Sequence, residues 1–79
     1  MQKPERKFSC GAITASLWAH TKVVNSETIT FHSVAINKAY KDAEDWKYTN
    51  SFNIEDLPKV ALVATEAYKY IRLREYDSQ

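Results

Sequence analysis

The residues with the most chemical content in this chain are its rings. Phe, Tyr and Trp make up 13% of the sequence, and Phe8, Trp18, Phe31, Tyr40, Trp46, Tyr48 and Phe52 all fall in its first two thirds. Lys38, Lys41 and Lys47 are interleaved with them, as are hydroxyl and amide groups at Thr14, Ser16, Ser33, Asn37, Thr49 and Ser51. Exposed bases stack on such rings at about 1–3 kcal/mol each, while lysines meet phosphates and small polar groups meet base edges. The pattern suits a single-stranded nucleic acid, DNA or RNA. Rings are also favoured in strands for packing alone, so each must be placed by the phase of its strand. Alternation sets Trp18 opposite Ile13, Ala15 and Leu17, which makes it the ring most expected to face outward, with Phe31 next. Phe52, just ahead of a helix start, belongs with the core.

Other chemistries have less support. Cys10 is the single cysteine, so the chain forms neither an internal disulfide nor a cysteine-based zinc cluster; it reads as a small half-buried residue. His20 and His32 lack a carboxylate at a recognisable ligand spacing and read as polar surface groups, so no metal is expected. Glu55 and Asp56 read as helix-start acids and not as a general acid/base pair. A pocket of hundreds of Å³ is hard to build from 79 residues without a dimer, and the expectation is a protein that is not an enzyme and has no cofactor.

Charge narrows the reading further. Lys plus Arg is 11 against 10 for Asp plus Glu, a net charge of +1, which excludes coating nucleic acid by bulk charge but permits a local basic face. Lys38, Lys41 and Lys47 flank a loop holding Asp42, Glu44 and Asp45. A usable patch remains only if strand pairing sends the lysines and the acids apart. The N-terminal residues are polar, and no apolar run approaches the roughly 20 residues of a membrane span. No membrane contact and a cytoplasmic location are expected.

The elements that must position these groups change period along the chain. Residues 1–7 read as a solvated arm. From Phe8 to about Val24 the pattern is β-like, long enough for two strands if it bends near His20, with Gly11 marking a bulge or a close backbone approach. Asn25-Ser26-Glu27 is a polar break, and a second β-segment runs from Thr28 to about Tyr40. Its phase is mixed: Val34 and Ile36 share one face, Ile29 and Phe31 the other. Either a bulge switches the phase or both faces carry apolar groups. Lys41 to Asp45 reads as a hairpin loop, and Trp46 to Phe52 as the next strand. The connections are too short for crossovers, so the pairing is antiparallel. Asn53, the acids after it and an early Pro58 read as a helix start. From there Leu57, Val60, Ala61, Ala64, Ala67, Tyr68 and Ile71 follow helical spacing, and a second line, Leu62, Val63, Tyr70 and Leu73, lies well round the helix. Apolar groups on two faces call for two partners, the chain's own sheet and something else.

The stretch Thr30 to Tyr40, the charged loop, and Trp46-Lys47-Tyr48-Thr49-Asn50-Ser51-Phe52-Asn53 leading into a helix resemble the single-strand DNA-binding domains of the positive cofactor four type, the transcriptional-coactivator family. They also resemble a group of small prokaryotic and viral proteins with the same strand, loop, strand, helix order. The resemblance covers roughly residues 8–75. It implies a homodimer that pairs its C-terminal helices and presents curved sheets to single-stranded DNA. The strands here are less basic than those of the eukaryotic coactivators, and their long acidic or serine-rich tail is missing.

The expectations are therefore an α+β domain over residues 8–75, with an antiparallel sheet of three or four strands followed by one helix, and a C-terminal tail at 76–79. Trp18, Phe31, Lys38, Tyr40, Lys47 and Tyr48 would bind single-stranded nucleic acid with little sequence preference. Leu62, Val63, Tyr70 and Leu73 would form the dimer surface. The competing expectation is a small interaction module that docks an apolar face on a protein partner without binding nucleic acid.

Overall fold

The computed structural model describes residues 3–77. Four strands, β1 (Arg6–Cys10), β2 (Ile13–Val24), β3 (Glu27–Asp42) and β4 (Asp45–Thr49), precede a 3₁₀ turn at Ile54–Asp56 and one helix, α1 (Leu57–Asp77). The strands lie in sequence order and every neighbour is antiparallel. This is the expected α+β class with its four-strand alternative. The arm is shorter than expected, because Arg6 already pairs with Leu17, and the helix runs past residue 75. Of the expected arm and tail, residues 1–2 and 78–79 lie outside the described residues.

Each connection between strands is a two-residue turn, the length whose backbone best matches the twist of the strands around it. Asn25 and Ser26 both have positive φ, 52° and 67°, the pattern of a type I′ turn between the paired Val24 and Glu27. Gly11, with φ 61°, is the first central residue of the β1–β2 turn. The first β-segment therefore divides at Gly11-Ala12 and not near His20, and the glycine serves a turn instead of a bulge. Ala43 holds φ 57° at the corresponding place between Asp42 and Asp45. An L-residue with a Cβ is strained there by about 1–2 kcal/mol. Ala43→Gly should accordingly raise stability by about 0.5–1 kcal/mol after the extra entropy of glycine is counted. Thermal unfolding of the two proteins checks this, and an unchanged or lower midpoint would count against it.

Pairing between β2 and β3 is continuous, from Ile13 opposite Lys38 to Val24 opposite Glu27, with no bulge. The mixed phase of β3 thus means that both faces carry apolar groups. Ile13, Ala15 and Leu17 face the helix and are essentially fully buried, together with Val63 and Ala67 of α1. Phe8, Cys10, Ile36, Phe52 and Val60 pack around them, which places Cys10 and Phe52 as expected. Tyr70 closes the end of this layer, its ring edge-on to Phe8 at 5.9 Å. The Arg6 guanidinium lies 5.1 Å from the Tyr70 ring centre. Only Ile13, Leu17 and Val63 are large side chains buried to this degree among the described residues. At about 1.5–3 kcal/mol per buried side chain, the core is thin for the entropy it must offset.

The helix covers one end of the sheet. Beyond it the β2–β3 hairpin continues, every residue from Thr21 to Ala35 is exposed, and the molecule extends to 50 × 27 × 16 Å.

Candidate nucleic-acid interface

Antiparallel pairing puts cross-strand partners on one face and alternate residues on opposite faces. Since Ile13, Ala15 and Leu17 lie under the helix, their partners Phe8, Arg6, Val34, Ile36 and Lys38 share that side. The other side, the open face, carries Lys7 and Ser9 of β1, and Thr14, Ser16, Trp18, His20 and Lys22 of β2. From β3 it takes Ile29, Phe31, Ser33, Asn37 and Lys41, and from β4 Trp46 and Tyr48.

The expected site residues divide between the two faces. Trp18, Phe31 and Tyr48 lie on the open face, where Trp18 is half-buried and Phe31 and Tyr48 are 44% and 68% exposed. Lys38, Tyr40 and Lys47 lie on the helix side, because Lys38 opposes Ile13 and Tyr40 opposes Lys47. The Lys38 ammonium donates to Asp56 Oδ2 at 2.7 Å, and that of Lys47 donates to Asp42 Oδ2 at 3.0 Å. These three are therefore not neighbours of the rings on the open face. Lys41 is the one lysine of the expected trio that is, and Lys7 and Lys22 join it. Lys22 needs only the alternation that places Trp18, being four residues further along the same strand. Lys7 needs the two-residue turn at Gly11-Ala12.

Of the charges around the β3–β4 turn, strand pairing turns Lys41 to the open face and leaves Lys38 and Lys47 on the helix side with Asp42 and Asp45. Within the four strands the open face carries Lys7, Lys22 and Lys41 against one carboxylate, Glu27, at the hairpin tip. Asp42 and Asp45 point to the helix side. The rings of His20 and Phe31 stack with centres 5.0 Å apart and an interplanar angle of 23°. His20 Nε2 and Ser33 Oγ share a hydrogen bond of 2.8 Å, and Lys22 Nζ stands 6.0 Å from the Phe31 ring centre. His20 is thus held as a member of an aromatic platform. His32 lies on the opposite face, 3.6 Å from Glu5, so the two histidines do not converge. No cluster of three metal-ligating side chains occurs among the described residues.

Asp56 does more than begin the helix. Its Oδ2 accepts from the Lys38 ammonium and from the Asn53 backbone N–H at 2.9 Å, while its own N–H donates to the Asn53 carbonyl at 3.0 Å. Asp56 thereby ties the helix start to the end of the β2–β3 ladder. The Lys38 hydrogen bond, followed by the Asn53 N–H, holds its carboxyl below the usual carboxylate range. A depressed folded value means that this contribution is complete above the unfolded value of about 3.9 and is lost as pH falls through the folded value. Asp56→Asn should lower the unfolding midpoint at neutral pH and flatten the acid limb of the stability profile. An acid limb identical to that of the parent would contradict this assignment.

The expected dimer surface needs correcting in part. Val63 is 2% exposed in the chain's own core and is not available to a second molecule, whereas Tyr70 is half-buried, with its ring edge-on to Phe8. The sheet takes the stripe Val60, Val63, Ala67 and Tyr70, drawn from both lines of the apolar pattern. Leu62 and Leu73 remain exposed on one flank of α1. The other flank carries Leu57, Ala61, Ala64, Tyr68 and Ile71, in alternating steps of four and three residues, which is the spacing of a helix-pairing seam. It borders a groove of about 300 Å³ whose walls include Leu17, His32, Val34, Tyr68, Ile71 and Arg72.

No helix among the described residues is long and apolar enough to cross a membrane. Comparison with family models, curated proteins and solved structures returns no match for this chain.

Proposed function

We propose that this chain binds single-stranded nucleic acid on the open face of its sheet, as a homodimer joined through α1. The observation that carries the reading is the composition of that face. Both tryptophans of the chain, the His20–Phe31 stack and Tyr48 are displayed there with three lysines, while Asp42 and Asp45 lie on the helix side. Stacking on such rings tolerates any base, so little sequence preference is expected. The order of elements, four antiparallel strands and a helix, is the one the resemblance to the coactivator family implies.

The thin core and the uncovered flank of α1 support the dimer. In an antiparallel pairing centred on Ala64, Tyr68 of each copy meets the small Ala61 of the other, and Leu57 meets Ile71. The bulky Tyr68 thus faces a small residue, and the seam is complementary to itself, as a two-fold interface requires. A second copy is accordingly assigned to this flank.

Titration with oligothymidine, followed by intrinsic tryptophan fluorescence, tests the binding directly, because Trp18 and Trp46 both lie on the face in question. Saturable quenching that weakens as salt is raised is the expected result, reflecting counterion release by the lysines. No quenching at low salt would overturn the reading. It would favour the exposed apolar residues of the hairpin, Val23, Val24 and Ile29, as a contact for a protein partner, whose affinity would be insensitive to salt.

A further inference from the structure

Between the two aromatic zones of the open face, the His20–Phe31–Trp18 group and the Trp46–Tyr48 pair, the surface changes character. It sinks into a hollow of about 320 Å³ lined by Lys7, Ser9, Thr14, Ser16, Asn37 and Tyr48. The hollow spans all four strands: Lys7 opposes Ser16 across β1 and β2, Asn37 opposes Thr14 across β2 and β3, and Tyr48 reaches in from β4. Ser16 forms its floor, 8% exposed, the one buried polar side chain on this face among the described residues.

We propose that this hollow is a subsite for a phosphate group. The inference rests on the reading of the open face above and adds what the polar segment between the rings is for. Every lining side chain can donate a hydrogen bond: one ammonium, three aliphatic hydroxyls, one carboxamide and one phenol. None is a carboxylate, so nothing in the lining repels an anion. Ser9 Oγ and Thr14 Oγ1 share a hydrogen bond of 2.9 Å, which uses one of their two protons and leaves the other to be turned inward. Ser16, Asn37 and the Lys7 ammonium have no side-chain partner among the described residues. Lysine with serine, threonine, asparagine and tyrosine is the set of side chains that holds nucleic-acid phosphates.

A nucleobase fits less well. Tyr48 is the single ring in the lining, so a base entering the hollow would lack a second face to stack on. Successive residues on one strand face are spaced by about 6.6 Å, so the hollow at Ser16 adjoins the ring of Trp18 at one step along β2. A strand lying across the sheet would rest a base on Trp18 and lower the adjacent phosphate onto Ser16. That arrangement fixes the strand's position on the sheet without reading its sequence.

The test is a nuclear magnetic resonance titration of the isotopically labelled full chain with inorganic phosphate, thymidine 5′-monophosphate and thymidine, each against sodium chloride of matched ionic strength. Backbone amides of Lys7, Ser9, Thr14, Ser16 and Asn37 should shift together and saturably with phosphate and with the monophosphate. They should not do so with thymidine or chloride. Ser16→Ala and Asn37→Ala, which leave the net charge unchanged, should each weaken the phosphate response several-fold while the remaining spectrum stays native. Addition of oligothymidine should displace inorganic phosphate if the strand supplies the group; retention of phosphate beside a bound strand would show that the hollow serves a free phosphate. Equal shifts with thymidine, equal shifts with chloride, or no shift with phosphate would each overturn the subsite. These readouts do not depend on tryptophan quenching, so failure of the subsite and failure of strand binding are separately visible.

Discussion

Trp18→Ala is expected to weaken oligothymidine binding roughly 5- to 150-fold, the equivalent of about 1–3 kcal/mol for the loss of one stacking ring, while the circular dichroism of the fold is retained. Trp18 stands on the open face, flanked along β2 by Ser16 and His20 and paired across the ladder with Ser33. Its removal takes nothing from the helix-side layer of Ile13, Ala15, Leu17, Val63 and Ala67. Trp18→Phe keeps a flat face and should recover most of the affinity. Trp46, 64% exposed at the far edge of the sheet, remains as the fluorescent reporter in both variants. A Trp18→Ala protein that loses its structure would move this ring from binding to packing. One that folds and binds with parental affinity would remove the ring from the interface.

The second large effect concerns α1. In the proposed dimer Ala64 lies at the centre of the seam, so Ala64→Glu would bring two unpaired carboxylates together on the two-fold axis. Burying a charge without a partner costs several kcal/mol, and symmetry doubles it. The dimer dissociation constant should rise about 100-fold or more, giving a monomer by sedimentation at micromolar concentration. Leu62→Glu supplies the contrast, since Leu62 stands on the opposite flank and is 51% exposed; this variant should sediment as the parent does. If Leu62→Glu dissociates the dimer and Ala64→Glu does not, the seam lies on the flank with Leu62 and Leu73.

How much of this is written in the sequence depends on the range of the interaction concerned. The switch from period two to period 3.6 near Asn53 separates sheet from helix without any knowledge of pairing. Trp18 can be directed outward because Ile13, Ala15 and Leu17 set a clear phase in β2. β3 offers no such guide, since Ile29 and Phe31 on one side are as apolar as Val34 and Ile36 on the other. Its phase follows from the turn at Asn25-Ser26, which makes Val24 and Glu27 partners and so places Lys38 and Tyr40 beneath the sheet. The same limit applies to α1. Helical spacing reveals two apolar lines, but the stripe that meets the sheet draws on both and is decided by fit. Val63 settles against Ile13 and the small Ala15, and the bulkier Tyr68 is left outside. The pairing of Asp56 with Lys38 joins residues 18 positions apart, a long-range contact that no local pattern announces.

The long β2–β3 hairpin has a consequence for how the molecule opens. Apart from the contact of His32 with Glu5, its distal half is held by its own backbone ladder and side-chain pairs, such as His20 with Ser33 and Phe31. The proximal half is locked by the helix. Amide hydrogens near Thr21 to Thr30 should therefore exchange through local opening of the tip, well before those of Ile13 to Leu17, which should wait for global unfolding. The platform at His20 and Phe31 sits at the border between these two regimes. A ligand seated there would restrain the tip as it binds, and protection from exchange would spread outward along the hairpin from that point.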